Sequence, residues 1–253
     1  AYKITGQTYP RKVDFLLLSI LASIAQSAAK FALDLRILQS PPFGELSEPF
    51  SEEQVGSTAM PFKKNPTSCE RICSLARYIG ALPTVAFGNA ANTILERTLD
   101  DSANRRLIIP QAFLALDECL ILYDHVLSGL RVDEQAIRRN LEAYSPFAAS
   151  EAILMKLVER GGDRQKMHEI IRRYSLKAWD EVSTGRSNPL LKLLVNDDII
   201  GSMLKPEEIE ALSDPAKHIG DAPDRCRAFL DEVVKPILRH YQDRLGVKAG
   251  PAY

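Results

Sequence analysis

An excess of charge of either sign is missing from this chain: 32 lysines and arginines stand against 33 aspartates and glutamates in 253 residues, a formal net charge of −1. A chain so balanced offers no general surface for nucleic acid or an anionic membrane, so any anion it binds must be held by a local cluster. Cysteine is sparse as well. Cys69, Cys73, Cys119 and Cys226 fall far short of the density of a disulfide-stapled secreted domain. Cys69 and Cys73 are four apart on a predicted helix, but no second pair and no suitably spaced histidine complete a tetrahedral site, so they read as buried packing and no metal is expected. A basic-then-apolar leader with a cleavage site is absent before residue 5, and the expected compartment is the reducing cytoplasm. Strand-period alternation, repeats and low-complexity tracts are also missing, which leaves all-α as the predicted fold class.

Glycine and proline are absent from residues 11–39, where Pro10 stands at a first-turn position and a single helix is predicted to about Gln39. Its apolar residues, from Phe15 to Leu38, cover nearly the whole circumference, so burial on all sides is expected, in a central bundle or a subunit interface. Ser19, Ser23, Gln26 and Lys30 interrupt the run and no comparable second segment exists, so a membrane span is not the reading. The proline-rich stretch from Ser40 to Pro66 reads as one long connection, a length that is usually functional. Helical patterning resumes near Ser68, is interrupted at Pro83, and returns from Ser102 to Leu130 with a bend at Pro110. Beyond it the predicted helices shorten, with Asp133, Ser150, Asp163 and Asp221 at cap or preceding-turn positions. This change of rhythm predicts two domains, a helical bundle over 1–131 with a loop near 50–66, and a smaller all-α domain over 132–253.

The loop Gly56-Ser57-Thr58-Ala59-Met60-Pro61-Phe62-Lys63-Lys64-Asn65-Pro66 packs a hydroxyl, cations, an amide and two φ-fixing prolines into one turn-rich stretch. Gly56 lets the backbone turn sharply and present Ser57. A serine takes a proton from carbon only where the site stabilises its alkoxide, and Lys63 can supply that charge while Asn65 donates to a carboxylate. In Glu96-Arg97-Thr98-Leu99-Asp100-Asp101-Ser102-Ala103-Asn104-Arg105-Arg106, Ser102 and Arg106 are one helical turn apart at the start of a helix, in outline a phosphate cradle. The same residues could equally form a solvated surface of arginines paired with Asp100 and Asp101. Arg71 could approach a ligand or form an ion pair on its helix face.

The first of these loops resembles the G-S-x-x-M-x-x-K-x-N signature of the fumarase/aspartase superfamily. Together with Thr5-Gly6-Gln7-Thr8-Tyr9-Pro10-Arg11-Lys12-Val13-Asp14 and the Glu96–Arg106 segment, in that order, it resembles the adenylosuccinate lyase family. The resemblance continues more weakly through Glu159–Gln165 and His168-Glu169 to the C-terminus.

It implies an all-α bundle, assembly as a homotetramer with active sites drawn from three subunits, a purine nucleotide as substrate, and neither metal nor organic cofactor. It implies cleavage of adenylosuccinate to AMP and fumarate, and the parallel elimination from the succinyl-carboxamide ribotide of purine synthesis. By the same resemblance Ser57 removes the Cβ proton, Lys63 and Asn65 hold the succinyl carboxylates, and Thr58 and Met60 of the loop contact substrate. Thr5 and Gln7 match positions that contact substrate, and Arg97, Ser102 and Arg106 take the 5′-phosphate.

Glu96 would orient a histidine that protonates the leaving nitrogen; its other reading is a partner for Arg97. None of His125, His168, His218 or His240 fits that histidine, which the family carries upstream of Thr5, so this chain by itself is expected to be inactive. Thr58 stands where most members have a second serine, and Ile94 where many carry tryptophan. Another fumarate-releasing lyase, such as argininosuccinate lyase or fumarase, would keep Ser57, Lys63 and Asn65 but gives no reason for the arginine-serine-arginine cradle. A non-catalytic helical scaffold would need neither.

Overall fold

A computed structural model describes residues 2–50, 63–95 and 97–246. The fold is all-α: apart from one two-residue bridge, every regular element among the described residues is helical. The described residues fall into two compact units, one ending at Asp133 and one beginning at Glu134.

The first unit is built on three long helices, α1 (Lys12–Leu38), α2 (Thr67–Ala91) and α3 (Ser102–Ser128). They run up, down and up. Leu18, Leu21 and Ala25 of α1 share a core with Ala76, Ile79, Leu82 and Ala86 of α2 and with Ile108, Ala112, Leu116 and Cys119 of α3. Towards the other end, Ala28, Ala32 and Leu35 pack with Cys69, Ile72, Cys73, Leu122 and Val126. Small residues on the facing stripes let the backbones approach, and each helix buries one stripe at helical spacing.

Pro83 does not interrupt α2, nor does Pro110 end α3; both lie inside continuous helices. Leu82 and Ala86 flank the first proline and Ile108 and Ala112 the second, all buried, so tertiary packing offsets the hydrogen bond each ring removes. A short antiparallel bridge, β1 (Leu46–Ser47) with β2 (Arg131–Val132), closes the end of the bundle where α1 and α3 finish.

The expectation that the first helix is buried all round is not met within this chain. Leu16, Ile20, Ile24, Leu33 and Ile37 are exposed on α1, with Phe87 on α2 and Leu107, Phe113 and Leu114 on α3. On length and composition α1 could cross a membrane. Its seven buried positions, Asp14 to Leu35, instead give that composition a packing role in the bundle.

The second unit comprises α4 (Glu134–Ala148), α5 (Ser150–Glu159), α6 (Arg164–Ser183), α7 (Leu190–Val195), α8 (Asp198–Met203), α9 (Pro206–Leu212), α10 (Ala222–Phe229) and α11 (Lys235–His240). Its core gathers Ile153, Leu157, Met167, Leu190, Leu194, Ile200 and Ile209. Asp163 caps α6 through the Lys166 N–H, and Asp197 caps α8 through the N–H groups of Ile199 and Ile200. Asp221, by contrast, makes no cap bond to α10. A π turn over Leu230–Val234 joins α10 to α11 immediately ahead of Pro236, whose ring cannot accept a regular α-helical ladder.

Candidate active site

The predicted site residues lie at two opposite ends of the three-helix unit. Lys63 and Asn65 precede α2 and line a half-open cleft of about 460 Å³ with Arg36, Gln39, Ser47 and Lys64. This is the end where α1 finishes: the Gln39 amide donates to the Lys64 carbonyl at 3.1 Å. Three basic side chains, Arg36, Lys63 and Lys64, border the cleft, which suits it to a carboxylate-bearing ligand. Ser57, Thr58 and Met60 lie outside the described residues, as does Glu96.

Thr5 and Gln7 are exposed on the segment leading into α1, at the opposite end. There a charged network that sequence reasoning missed ties this segment to the start of α3. Asp14, only 3% exposed, accepts from Arg105 Nε at 2.6 Å and from the Tyr9 hydroxyl at 2.6 Å. Arg105 also donates to the Tyr9 hydroxyl, and the guanidinium of Arg11 lies 4.7 Å from the centre of the Tyr9 ring. Arg11 Nε is 2.5 Å from Asp101 Oδ2, an ion-pair contact without aligned hydrogen-bond geometry. Burial, followed by the hydrogen bond to Asp14, raises the Tyr9 pKa, while the bond to Asp14 raises that of Arg105. Neutral Tyr9 and charged Arg105 are therefore the forms held at neutral pH.

Ser102 and Arg106 occupy the first turn and a half of α3 beside this network, Ser102 half-buried and Arg106 exposed. Asp101 faces arginines and makes no cap bond to α3, so the helix start keeps N–H groups that a side-chain cap would otherwise take. Arg97 Nε is buried and has no hydrogen-bond partner among the described residues. Of the two aspartates in the solvated-surface alternative, Asp101 is buried and pairs with Arg11, and more distantly with Arg105 at 3.6 Å. Arg71 does form the helix-to-helix ion pair, donating to Glu118 at 2.7 Å.

The two ends are separated by the length of α1. Twenty-seven residues at 1.5 Å rise amount to about 40 Å. Within one chain, then, the structure joins Gln7 to the cradle segment through Tyr9, Arg11 and Asp14, and keeps both apart from Lys63 and Asn65.

Two family models match this sequence, one described as "Lyase" over residues 3–80 and one as "Adenylosuccinate lyase C-terminus" over residues 146–229. The chain is 40% identical over 248 residues to adenylosuccinate lyase from Schistosoma mansoni, an alignment that takes in 97% of the chain and 51% of that relative. It is likewise 40% identical over 247 residues to adenylosuccinate lyase from Saccharomyces cerevisiae, with 96% of the chain and 50% of the relative covered. Nearly the whole chain is thus similar to adenylosuccinate lyases. It spans about half the length of the curated relatives it matches.

Among solved structures, 3-carboxy-cis,cis-muconate lactonizing enzyme from Pseudomonas putida superposes with a TM-score of 0.71 at 26% identity, over 82% of this chain and 45% of that one. The beta-carboxy-cis,cis-muconate cycloisomerase from Acinetobacter calcoaceticus, at 20% identity and a TM-score of 0.72 over 87% of this chain and 46% of that one, shares the fold. The adenylosuccinate lyase relationship thus extends across both units of the chain, whereas the fold itself is shared more widely.

Proposed function

We propose that the protein carrying this chain is a cytoplasmic lyase of purine nucleotide biosynthesis. It eliminates fumarate from adenylosuccinate, leaving AMP, and from the succinyl-carboxamide ribotide, leaving the carboxamide ribotide. Ser57, as alkoxide, takes the Cβ proton of the succinyl group. Lys63 and Asn65 bind its carboxylates and stabilise the negative charge that develops on them as an aci-carboxylate. The C–N bond then breaks, its electron pair leaves on the purine nitrogen, and a histidine oriented by Glu96 protonates that nitrogen. This histidine comes from the portion of the relatives that this chain does not span.

The observation that carries the reading is the pairing of two chemically matched ends. One end offers lysines, an arginine and an amide around a cleft that fits a dicarboxylate. The other offers Arg97 with a buried unpartnered nitrogen, and Ser102 and Arg106 at an uncapped helix start, which fit a phosphate. A succinylated nucleotide carries both groups, and no single three-helix unit could bring its own two ends together over about 40 Å. Copies must therefore combine, one supplying Lys63 and Asn65 and another supplying Gln7 and the cradle. The apolar surface left on α1 and α3 is what such an assembly, a homotetramer, would bury. Arg71, held by Glu118 in the isolated chain, is proposed to turn to substrate on assembly.

The test is fumarate release from adenylosuccinate by this chain supplemented with the first half of the yeast relative, with Ser57→Ala as control. Turnover abolished by the substitution supports the reading. Failure of the chain to bind either adenylosuccinate or AMP overturns it, and turnover of argininosuccinate or malate instead would favour another lyase of the superfamily.

A further inference from the structure

Glu48 is 3% exposed, yet it is a carboxylate, and a buried carboxylate persists only where hydrogen bonds replace its water. Its oxygens accept from the backbone N–H groups of Ser68 and Cys69, each at 3.1 Å, and the Thr67 hydroxyl lies 3.5 Å away. These groups form the first turn of α2, whose N-cap position is Pro66, a residue with no side-chain donor or acceptor for the task. A carboxylate some twenty residues upstream therefore caps α2, where the helix dipole favours negative charge.

Gln39 completes the arrangement. Its side-chain oxygen accepts from the Glu48 N–H at 3.0 Å, and its side-chain nitrogen donates to the Lys64 carbonyl at 3.1 Å. One amide thus bridges the chain at residue 48 and the chain at residue 64. Residues 46–50 are themselves anchored: Leu46 and Ser47 pair with Val132 and Arg131, and Arg131 donates to the Phe50 carbonyl at 2.9 Å.

We propose that Glu48 and Gln39 are positioning residues for the Lys63–Asn65 end of the active site, fixing the backbone of residues 63–69 against α1 and against residues 46–50. The inference rests on the lyase reading for its kinetic consequence, but its structural core does not. Because Glu48 occupies the Ser68 and Cys69 N–H groups, the start of α2 is withdrawn from ligand binding, and the succinyl carboxylates fall to the Lys63 and Asn65 side chains. A displacement of those side chains by a fraction of an ångström would weaken contacts that matter most in the transition state.

The experiment compares wild type, Gln39→Ala and Glu48→Gln by hydrogen exchange and by turnover, both in the presence of the complementing half. Gln39 is only partly buried and its replacement leaves the helix cores intact, so this variant stays informative if Glu48→Gln folds poorly. Exchange over residues 63–75 should quicken by on the order of tenfold in each variant, with α6 unchanged, as expected for one lost hydrogen bond of ordinary strength. The kcat should fall while KM changes little. Unchanged exchange at 63–75 in both variants overturns the clamp, and faster exchange with undiminished kcat overturns the positioning role. If wild type itself turns nothing over, the lyase reading fails and exchange alone decides the clamp.

Discussion

Arg105 and Asp14, 91 residues apart, form an ion pair at 2.6 Å, the carboxylate buried and the guanidinium partly exposed, that fastens the start of α1 to the start of α3. Because Tyr9 bonds to both partners, the pair also fixes the segment that carries Gln7. Removing one charge strands the other. Arg105→Ala should therefore cost about 3 kcal/mol, the lower part of the range for a broken buried pair because the arginine is partly exposed. Tyr9→Phe, which deletes one hydroxyl, should cost about 1 kcal/mol. Urea melts of the three proteins give both figures.

Gly129 closes the far end of the same unit. A Cβ placed there would stand 2.6 Å from the Cβ of Pro49, nearer than side-chain atoms approach. Gly129→Ala should destabilise by about 1–3 kcal/mol through overpacking, although alanine is the better helix former. Pro49→Gly in the same background, which removes that Cβ, should relieve part of the loss.

The cysteines separate into a reactive one and three inert ones. Cys69, Cys73 and Cys119 are buried and Cys226 is exposed. A thiol reagent at pH 8 should modify one thiol quickly in the native chain and four after unfolding. Burial, aided by Glu118 and Cys73, pushes the Cys119 thiol from 9.0 up to about 11. Burial, and then Glu48, raises that of Cys69 as well. A folded-state pKa above the unfolded one means that the unfolded chain loses its proton first. The stabilising contribution is therefore complete below pH 9 and declines as pH rises from 9 towards 11. Denaturation midpoints measured from pH 8 to 11 should fall, and fall less steeply in Cys119→Ala.

Apolar side chains left on α1 and α3 predict self-association. Light scattering should return a mass well above the 28.2 kDa of one chain. Ile20→Lys with Leu114→Lys should reduce that mass while leaving helicity intact, since both positions are exposed in the single chain. A monodisperse wild-type monomer would contradict the prediction.

Periodicity and punctuation made the helical character readable. Pro10, the unbroken run to Gln39 and the Asp163 cap are local signals, and local signals survive in a sequence. Pro83 misled because its cost is local while the packing that offsets it comes from other helices. The helix at 198–203 was missed although its cap, Asp197, was in plain view, because six residues are too few to establish a period.

At the site, Lys63, Asn65, Ser102 and Arg106 stood out through motif resemblance. The pairing of Asp14 with Arg105 did not, since nothing in either neighbourhood points across 91 residues. Nor did Glu48 stand out: an acid in a proline-rich stretch looks solvated until the helix it caps is known. The circumference of α1 was read as buried in a central bundle or a subunit interface, and one chain supplies only part of that cover.

The most direct test of the account concerns the separation of the two ends. Lys63→Met and Arg106→Leu chains, each supplemented with the first half of the yeast relative, should be inactive on adenylosuccinate when assembled separately. Unfolded and reassembled together, they should regain turnover, because some sites then draw an intact Lys63 from one copy and an intact Arg106 from another. A mixture as inactive as its components, formed under conditions in which wild type recovers turnover, would contradict a site shared between chains.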